Sequence, residues 1–248
     1  MKVILQAKGL WKEFDGTPIL KGIDFSVNEG EFIAIMGQSG SGKSTLLYNI
    51  SGMDRATKGV IQFQGEDILN QDDNKISNLR LTKMGFIFQQ AHLLKTLSIR
   101  DNIVLPGFKA QRKRREQIKE FAEELMKRTG INQIADHDIK KVSGGQLQRA
   151  AICRALINQP EILFGDEPTG ALNSGATKEI MDIINKINVD GTTVILVTHD
   201  AKVAARADRV IFLADGNITD EIVLGKFKEK MTTDREKNMS EWLVKLGF

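Results

Sequence analysis

The sequence predicts an α/β fold whose core is a doubly wound β-sheet. Three segments, EFIAIMG, EILFGDE and TTVILVTHD, are short and almost continuously apolar, which is typical of parallel strands covered on both faces. Helical patterns lie between them, and this alternation of strand, loop and helix is the pattern of a doubly wound core. A long charged region interrupts the alternation and predicts an inserted helical lobe.

The first apolar run leads into a glycine-rich loop. EFIAIMG is predicted to be a buried strand, and STLLYNISG is predicted to be the helix that leaves the loop. On that helix Leu46, Leu47 and Ile50 are expected to face inward. Farther along, GVIQFQGEDI alternates between apolar and polar residues, which indicates an antiparallel flank on the core.

The inserted lobe is predicted at about residues 95–158. Its pattern is helical and charged, as in KAQRKRREQIKE, and Pro160 marks the return of the chain to the core. We therefore expect a single domain. It comprises a core at about 1–94 and 159–220, the helical lobe at about 95–158, and a C-terminal tail at about 221–248.

Two further helices are indicated near the end of the chain. Residues 176–188 repeat isoleucine at i, i+3, i+4 and i+7, as a helix packed on the sheet requires. In the tail, Trp242, Leu243 and Leu246 also follow helical spacing. We expect these tail residues to pack on the core rather than on a partner.

Composition excludes several classes of protein. Of the 248 residues, 41% are hydrophobic and 27% are charged, which is ordinary for a soluble globular protein. The net charge of +3 is too balanced to indicate nucleic acid or an anionic membrane as a partner. One cysteine, Cys153, excludes an internal disulfide. No run approaches the roughly 18 apolar residues of a membrane span, so we expect a cytoplasmic chain.

The strongest chemical signal is GQSGSGKS, which matches the pattern G-x-x-x-x-G-K-[ST] between a predicted strand and a predicted helix. Glycines let the backbone curl so that successive N–H groups and the helix N-terminus face a phosphate. Lys43 can then reach the β- and γ-phosphates, and the Ser44 hydroxyl can bind Mg²⁺. The residues assigned to this site are Gly37, Ser39, Gly40, Ser41, Gly42, Lys43, Ser44 and Thr45. The motif predicts binding of a Mg-nucleotide.

Paired carboxylates end a second apolar strand, in ILFGDEP. Asp166 would hold Mg²⁺, and Glu167 is placed to orient or deprotonate an attacking water. Such a pair in isolation can equally be a solvated strand end, but here it follows a phosphate loop. His199 ends another apolar strand, where ligands bind in parallel sheets. A lone histidine is more often structural; as a site residue it would hydrogen-bond the γ-phosphate.

A second helix start of the anion-binding kind lies in VSGGQLQRAAICRAL. Its first residues are Ser143, Gly144, Gly145 and Gln146. The serine hydroxyl, the glycine N–H groups and the positive helix end offer donors to an anion. Leu147, Ala151 and Ala155 are predicted to form the inward face of this helix. The chain thus carries two phosphate-binding helix starts, although one nucleotide needs only one.

Together these motifs resemble the ATP-binding cassette (ABC) ATPases. GQSGSGKS, Gln89 in GFIFQQ, SGGQ, the Asp166–Glu167 pair and His199 occur in the order and approximate spacing of that family. SGGQ is the most discriminating motif, because other phosphate-loop ATPases lack it. LKGIDF, MGFIFQQAHLL, DNIVLP and DEPTGAL are similar to the bacterial branch serving lipoprotein release, macrolide efflux and antimicrobial-peptide resistance. The resemblance implies a phosphate-loop (RecA-like) core with an antiparallel β flank and an inserted α-helical lobe.

The resemblance also implies a homodimer with two composite ATP sites. In this family two cassettes pair head to tail, so that SGGQ of one subunit caps the γ-phosphate held by the phosphate loop of the other. The implied cofactors are ATP and Mg²⁺. The implied catalytic residues are Glu167, His199 and Gln89, and the implied metal ligands are Ser44, Gln89 and Asp166. ATP binding would close the dimer, and an integral-membrane permease would convert the motion into work at the inner face of the cell membrane.

Other family positions correspond less closely. Phe14 aligns with the aromatic residue that stacks on adenine; alternatively, Phe14 or Trp11 is a core residue. Asn173 stands where the family usually has aspartate, Val142 replaces the usual leucine before SGGQ, and DIKK lacks a proline often seen there. Asparagine still hydrogen-bonds without carrying charge. Because the residues that touch phosphate and water are present, the resemblance implies an active enzyme.

Functions of other classes stay open at this point. A regulatory ATPase could drive a membrane partner without transport, as relatives in cell division do. A nucleic-acid-associated ABC ATPase is disfavoured, since about a hundred residues separate the phosphate loop from SGGQ, too few for the coiled coil of repair members. Translation members carry two cassettes. No nucleic-acid partner is therefore expected.

The segment after Gln89, AHLLKTLSIRDNIVLP, is a candidate contact site for the permease. Leu93 and Leu94 lie in a loop-like setting, and exposed apolar residues of this kind often mark a partner site. Alternatively, these leucines pack within the lobe. The resemblance implies that this segment lines a groove that receives a short cytoplasmic helix of the permease. The run Arg112–Arg115 could bind acidic lipid headgroups, but a solvated helix face is favoured.

Overall fold

The computed structural model describes residues 2–248. This part of the chain divides into two compact units. The first unit comprises the residues up to Ile76 together with Ile187–Phe248, and the second unit comprises Ser77–Lys186. These units follow from packing within the folded chain, whereas the core, lobe and tail were predicted from sequence patterns, so that division stays a prediction.

Strands and helices alternate along most of the chain, which confirms the predicted α/β class. The β-strands are β1 (Val3–Phe14), β2 (Thr17–Asn28), β3 (Phe32–Met36), β4 (Lys58–Phe63), β5 (Glu66–Asp67), β6 (Met84–Phe88), β7 (Ile162–Asp166), β8 (Thr193–Val197), β9 (Arg209–Ala214) and β10 (Asn217–Val223). The α-helices are α1 (Lys43–Ile50), α2 (Asp73–Lys83), α3 (Ile99–Ala110), α4 (Arg115–Arg128), α5 (Gly144–Leu156), α6 (Ser174–Val189), α7 (Ala201–Ala204) and α8 (Thr232–Lys245).

The first unit contains an antiparallel sheet with the strand order β2-β1-β4-β5. Leu5, Ala7 and Leu10 of β1 are buried and alternate with more exposed residues, as in a sheet with one covered face. The antiparallel flank predicted for residues 59–68 falls on β4 and β5 and is confirmed. The sequence pattern did not indicate β1 and β2, whose pairing is interrupted by several register shifts.

The first unit also contains the parallel strands that the apolar runs predicted. β3 pairs in parallel with β8 and with β9, and β10 pairs antiparallel to β9. All residues of β3 and β8 are buried, which explains why their sequences are continuously apolar. Because parallel strands end at one edge of a sheet, the loop after β3 and the residues after β8 share that edge.

The second unit combines a parallel strand pair, β6 and β7, with helices α3, α4 and α5 around an apolar cluster. α4 buries Ile118, Ala122, Leu125 and Met126, the spacing of an amphipathic helix. On α3, a Cβ added to Gly107 would lie 2.7 Å from Ile118 Cγ2, so glycine permits the close approach of these helices. The helical structure predicted for this part of the chain is thus confirmed by α3, α4 and α5, and the lobe's bounds stay a prediction.

The C-terminal helix packs on the first unit, as the spacing of its apolar residues predicted. Met239 and Leu243 of α8 are buried. The Trp242 ring meets Phe212 edge-on at a centroid distance of 6.1 Å, and its Nε1 donates to Asp220 Oδ2 at 3.1 Å. Within residues 2–248 the helices are all too short or too polar to cross a lipid bilayer.

Arg235 fixes the start of α8 through buried hydrogen bonds. Its side chain is 3% exposed. Nε donates to the Ala205 carbonyl at 2.7 Å, and Nη1 donates to the Leu224 and Gly225 carbonyls at 3.0 and 2.9 Å. Burial lowers the pKa of Arg235 from its ordinary value, but a guanidinium stays charged in proteins. One buried cation therefore satisfies carbonyl groups from separate loops.

We predict that Arg235→Met lowers the free energy of unfolding by about 2–4 kcal/mol, because buried carbonyl groups lose a charged donor. Urea denaturation followed by circular dichroism measures this change. Lys237→Met, at an exposed position of the same helix, is the matched control and should change stability by less than about 0.5 kcal/mol. Equal, small effects of the two substitutions would contradict the role of Arg235.

Candidate functional site

The phosphate loop follows β3, and close backbone contacts fix both of its ends. Gly37 has φ 148°, and an added Cβ would lie 2.0 Å from the Leu213 carbonyl oxygen. Gly42 has φ 100°, and an added Cβ would lie 3.1 Å from the Ile19 carbonyl oxygen. Both positions need a residue without a side chain. The glycines of the motif thus have a steric reason as well as a role in presenting N–H groups.

The polar side chains of the loop are suited to an anion. Lys43 is buried, and its Nζ donates to the Gly37 and Gln38 carbonyls at 2.9 and 2.7 Å. The Ser41 Oγ is buried and has no hydrogen-bond partner among residues 2–248. A buried hydroxyl without a partner is costly unless a ligand completes it. The loop therefore fits the phosphate groups that its sequence predicted.

His199 and Phe14 lie at the surface of the same unit. His199 follows β8 and is exposed, and Asp200 beside it caps α7 by accepting from the Lys202 and Val203 N–H groups. Phe14 ends β1 and is 49% exposed, so the alternative that Phe14 is a core residue is wrong. Trp11 is half-buried, and its Nε1 donates to Glu13 Oε2 at 3.3 Å.

In the second unit, the two carboxylates lie at the carboxyl end of β7. Asp166 is the last residue of β7 and pairs in register with Phe88, the last residue of β6. Gln89 and Glu167 therefore follow paired strand ends. Glu167 has φ 47°, a left-handed conformation that is strained for this residue type. Strain of this kind is concentrated at functional sites.

Gln89 and Glu167 converge on Gly170. A Cβ added to Gly170 would lie 2.9 Å from Gln89 Nε2 and 3.3 Å from Glu167 Oε2. The Gly170 N–H donates to the Glu167 carbonyl at 3.0 Å, which closes the turn between them. The structure thus brings together two of the residues predicted to be catalytic. The sequence did not indicate Gly170, because its proximity to the Gln89 side chain arises only when the chain folds.

SGGQ begins α5 and is accessible. Ser143 Oγ accepts from the Gln146 N–H at 3.3 Å, and Gln146 Oε1 accepts from the Ser143 N–H at 2.8 Å, which forms a capping box. Ser143 and Gly144 are exposed. The predicted inward face was partly wrong. Ala151 is buried but Leu147 and Ala155 are only half-buried, because the helix is covered on a broader face that includes Gln148.

Two polar residues of α5 hold the segment that contains Gln89. Gln148 Nε2 donates to the Phe88 carbonyl at 2.9 Å. Arg154 donates to the Ala91 and His92 carbonyls at 2.8 and 2.7 Å, and burial lowers its pKa. Sequence reasoning missed both residues. The sequence carries little signal for them, because α5 also carries Gln146 and Arg149.

The unusual Asn173 acts as a helix cap. Its Oδ1 accepts from the Ala176 N–H at 2.9 Å, and its carbonyl accepts from the Thr177 N–H at 2.8 Å. Asparagine and aspartate are both preferred at the N-cap. Asparagine at this position therefore still caps α6, although it lacks the charge of aspartate.

The two candidate leucines in the segment after Gln89 differ in burial. Leu94 is 51% exposed, whereas Leu93 is 8% exposed and belongs to the apolar cluster of the second unit. The prediction that Leu93 is an exposed contact is therefore wrong, because the side chain packs in the core of this unit. Asn102, which is buried, accepts from the Leu94 N–H at 2.7 Å and donates to the Leu94 carbonyl at 3.1 Å. These bonds hold Leu94 at the surface.

Comparisons with known proteins agree with these features. The family model described as "ABC transporter" matches residues 20–170. The ATP-binding protein LolD of the lipoprotein-releasing system of Aquifex aeolicus is 41% identical over 222 residues, covering 90% of this chain and 99% of LolD. The macrolide export ATP-binding/permease protein MacB of Mannheimia succiniciproducens is 41% identical over 82% of this chain, which spans only 31% of the length of MacB.

Solved structures show the same fold. The dimeric, post-hydrolysis structure of the ATP-binding cassette MJ0796 bound to ADP and Pi has a TM-score of 0.83 at 37% identity, covering 90% of this chain and 100% of that chain. The similarity confirms the predicted fold class. It also supports ATP binding as the activity of the phosphate loop.

We predict that Gly170→Ala slows ATP hydrolysis about 10- to 100-fold, because the new methyl group displaces the Gln89 amide and crowds Glu167. Thermal unfolding should change little, since the displaced atom is the end of a flexible side chain. Steady-state phosphate release and a melting curve measure the two effects.

Gly175→Ala is the matched control for this substitution. Its added Cβ would lie 3.6 Å from the nearest atom, Asn173 Oδ1, which is an ordinary contact. Hydrolysis by this variant should equal that of the wild type. A Gly170→Ala enzyme with wild-type turnover would show that the space between Gln89 and Glu167 has no catalytic importance.

Proposed function

The chain belongs to the ABC transporter family and is an ATPase, and on this premise we propose that it is the energy-coupling subunit of a bacterial transporter. In this proposal it acts as a homodimer beside a separate membrane permease. The observation that carries the proposal is that two helices, α1 and α5, begin within motifs predicted to bind an anion, at Lys43 and at Gly144. A chain that binds one nucleotide at its own loop has a use for the second start in a partner's site.

ATP is the substrate of the proposed composite site. Lys43 and the N–H groups of the phosphate loop bind the β- and γ-phosphates, and Phe14 stacks on adenine. SGGQ of the partner covers the γ-phosphate. The MJ0796 cassette is dimeric in its structure with ADP and Pi, which supports a dimer for this chain.

The donor set fits Mg²⁺. The Ser44 hydroxyl, the Gln89 amide oxygen and the Asp166 carboxylate are hard oxygen ligands, the type that Mg²⁺ takes together with substrate phosphates. A bound ion neutralises the charge of the phosphates. These three side chains are the residues that would hold it.

The remaining candidates act on the water and the γ-phosphate. Glu167 orients and deprotonates the attacking water, Gln89 holds it, and His199 hydrogen-bonds the γ-phosphate. The convergence of Gln89 and Glu167 beside Gly170 supports a joint role for these two side chains. The backbone on either side of Gln89 is held by hydrogen bonds from α5, and the Glu167 carbonyl accepts from the Gly170 N–H.

Export of antimicrobial peptides, macrolides or lipid-linked substrates, or resistance to them, is the proposed output. LolD is named for a lipoprotein-releasing system and MacB for macrolide export, and these names favour transport over the regulatory alternative. The permease would place this chain at the cytoplasmic face of the membrane. The core predicted from the sequence would then bind the nucleotide, and the helical lobe would contact the permease.

We predict that Glu167→Gln slows hydrolysis by about 10²–10⁴-fold and retains ATP binding, because it removes the base but keeps the phosphate contacts. The ATP-bound dimer then accumulates, and light scattering measures it. Adding Ser143→Arg should return the protein to monomer, since a bulky side chain would occupy the position of the γ-phosphate cap.

Two controls accompany this experiment. Glu120→Gln, at an exposed position of α4, should hydrolyse ATP like the wild type. Lys43→Ala should lose ATP binding and therefore form no dimer. If Glu167→Gln stays monomeric with ATP at all concentrations, the head-to-tail dimer is contradicted.

We predict that Leu94→Gln leaves the subunit folded and able to bind ATP but weakens permease association about tenfold or more. The reason is that Leu94 is exposed and is held in place through its backbone. Co-purification with the permease and permease-stimulated ATPase activity measure the effect. Leu105→Gln, at a 44% exposed leucine of α3, is the control. If Leu94→Gln associates with the permease as strongly as Leu105→Gln does, the contact lies elsewhere.

A further inference from the structure

Lys12 lies under the ring of Phe14. The two residues lie two apart near the end of β1, and Lys12 Nζ is 4.5 Å from the centroid of the Phe14 ring. This distance is within the roughly 6 Å range of a cation–π interaction. The Lys12 side chain is 10% exposed, whereas Phe14 is 49% exposed. A buried cation therefore supports an aromatic ring that is open to solvent.

The position of the Lys12 ammonium is fixed by other groups. Nζ donates to the Asp54 carboxylate, at 2.9 Å to Oδ1 and 2.8 Å to Oδ2, and to the Arg55 carbonyl at 2.7 Å. An ammonium has three donors, and these acceptors engage them. The cation is thus held independently of the ring above it.

The acceptors of Lys12 belong to the segment that ends α1. The Asp54 N–H donates to the carbonyl of Tyr48, in the last turn of this helix, at 3.0 Å. The Thr57 N–H donates to the Trp11 carbonyl at 2.8 Å, which ties the same segment to β1. The end of β1 is therefore connected to the helix whose first residue is Lys43.

We propose that Lys12 is a positioning residue for recognition of the adenine base. It fixes the Phe14 ring relative to the phosphate loop, and its charge draws electron density away from the exposed face of the ring. An electron-rich purine then stacks more favourably on that face. The inference deepens the proposed function and rests on its assignment of Phe14 to adenine.

A general electrostatic role for Lys12 makes a different prediction. A cation that attracted the triphosphate at long range would favour any polyphosphate, with or without a base. Positioning of Phe14 affects only ligands that carry a base, and only when the ring is present. Comparison of ATP with inorganic tripolyphosphate separates these two roles.

The experiment measures the affinity of the full chain for ATP and for tripolyphosphate by calorimetry, in wild type, Lys12→Met, Phe14→Ala and the double variant. Lys12→Met should weaken ATP binding about three- to fivefold and leave tripolyphosphate binding unchanged. Phe14→Ala should weaken ATP binding about tenfold. In the Phe14→Ala background, Lys12→Met should have no further effect, because the two residues act as a pair.

Lys8→Met is the matched control, since Lys8 is an exposed lysine of the same strand. It should change neither affinity. Asp54→Asn releases Lys12 without removing it and should reproduce the selective loss of ATP affinity. This second variant decides the question if Lys12→Met does not fold.

Three results would overturn the proposal. Equal weakening of ATP and tripolyphosphate binding by Lys12→Met would assign Lys12 to long-range electrostatics. Additive effects of Lys12→Met and Phe14→Ala would separate Lys12 from the ring. Unchanged ATP affinity in Phe14→Ala would remove Phe14 from base recognition; in that case tripolyphosphate binding and ATP hydrolysis would still show that the proposed ATPase function stands.

Discussion

The contact between Gly37 and the Leu213 carbonyl is the constraint on which the phosphate site depends. Since an added Cβ would lie 2.0 Å from that oxygen, only glycine lets the chain leave β3 along this path. The path continues to Gly42, whose own close contact with the Ile19 carbonyl fixes the other end of the loop. A loop held at both ends loses less conformational freedom when it binds an anion. Lys43, bonded to the Gly37 and Gln38 carbonyls, is held over the same loop.

In the second unit, α5 has the corresponding role. Its first residue follows Ser143, and its buried Gln148 and half-buried Arg154 hold the carbonyls of residues 88, 91 and 92. The segment that carries Gln89 and the start of the SGGQ helix are therefore attached to one rigid element. A displacement of Gln89 toward a ligand would strain bonds to the same helix that presents Ser143. In the proposed dimer, these bonds would connect the Gln89 segment to the helix whose start carries SGGQ.

Sequence reasoning succeeded where one local pattern determines the structure. The apolar runs of β3, β7 and β8 and the phosphate loop followed from residue type and spacing alone. It failed where the outcome depends on distant residues. Leu93 and Leu94 are identical in sequence terms, and only the position of Asn102 and the apolar cluster decides which one is buried. Likewise, the position of the Lys12 ammonium is set by its hydrogen bond to Asp54, 42 residues away in the sequence.

The capping box at SGGQ is compatible with anion binding, because it engages only part of the helix start. The box uses the N–H groups of Ser143 and Gln146. The N–H groups of Gly144 and Gly145 lie in the first turn, where a helix supplies no internal partner. Ser143 Oγ acts as an acceptor in the box, so its proton is still available for donation. The helix start can thus keep its own cap while binding a phosphate from a second subunit, and closure of the proposed dimer requires no unfolding of α5.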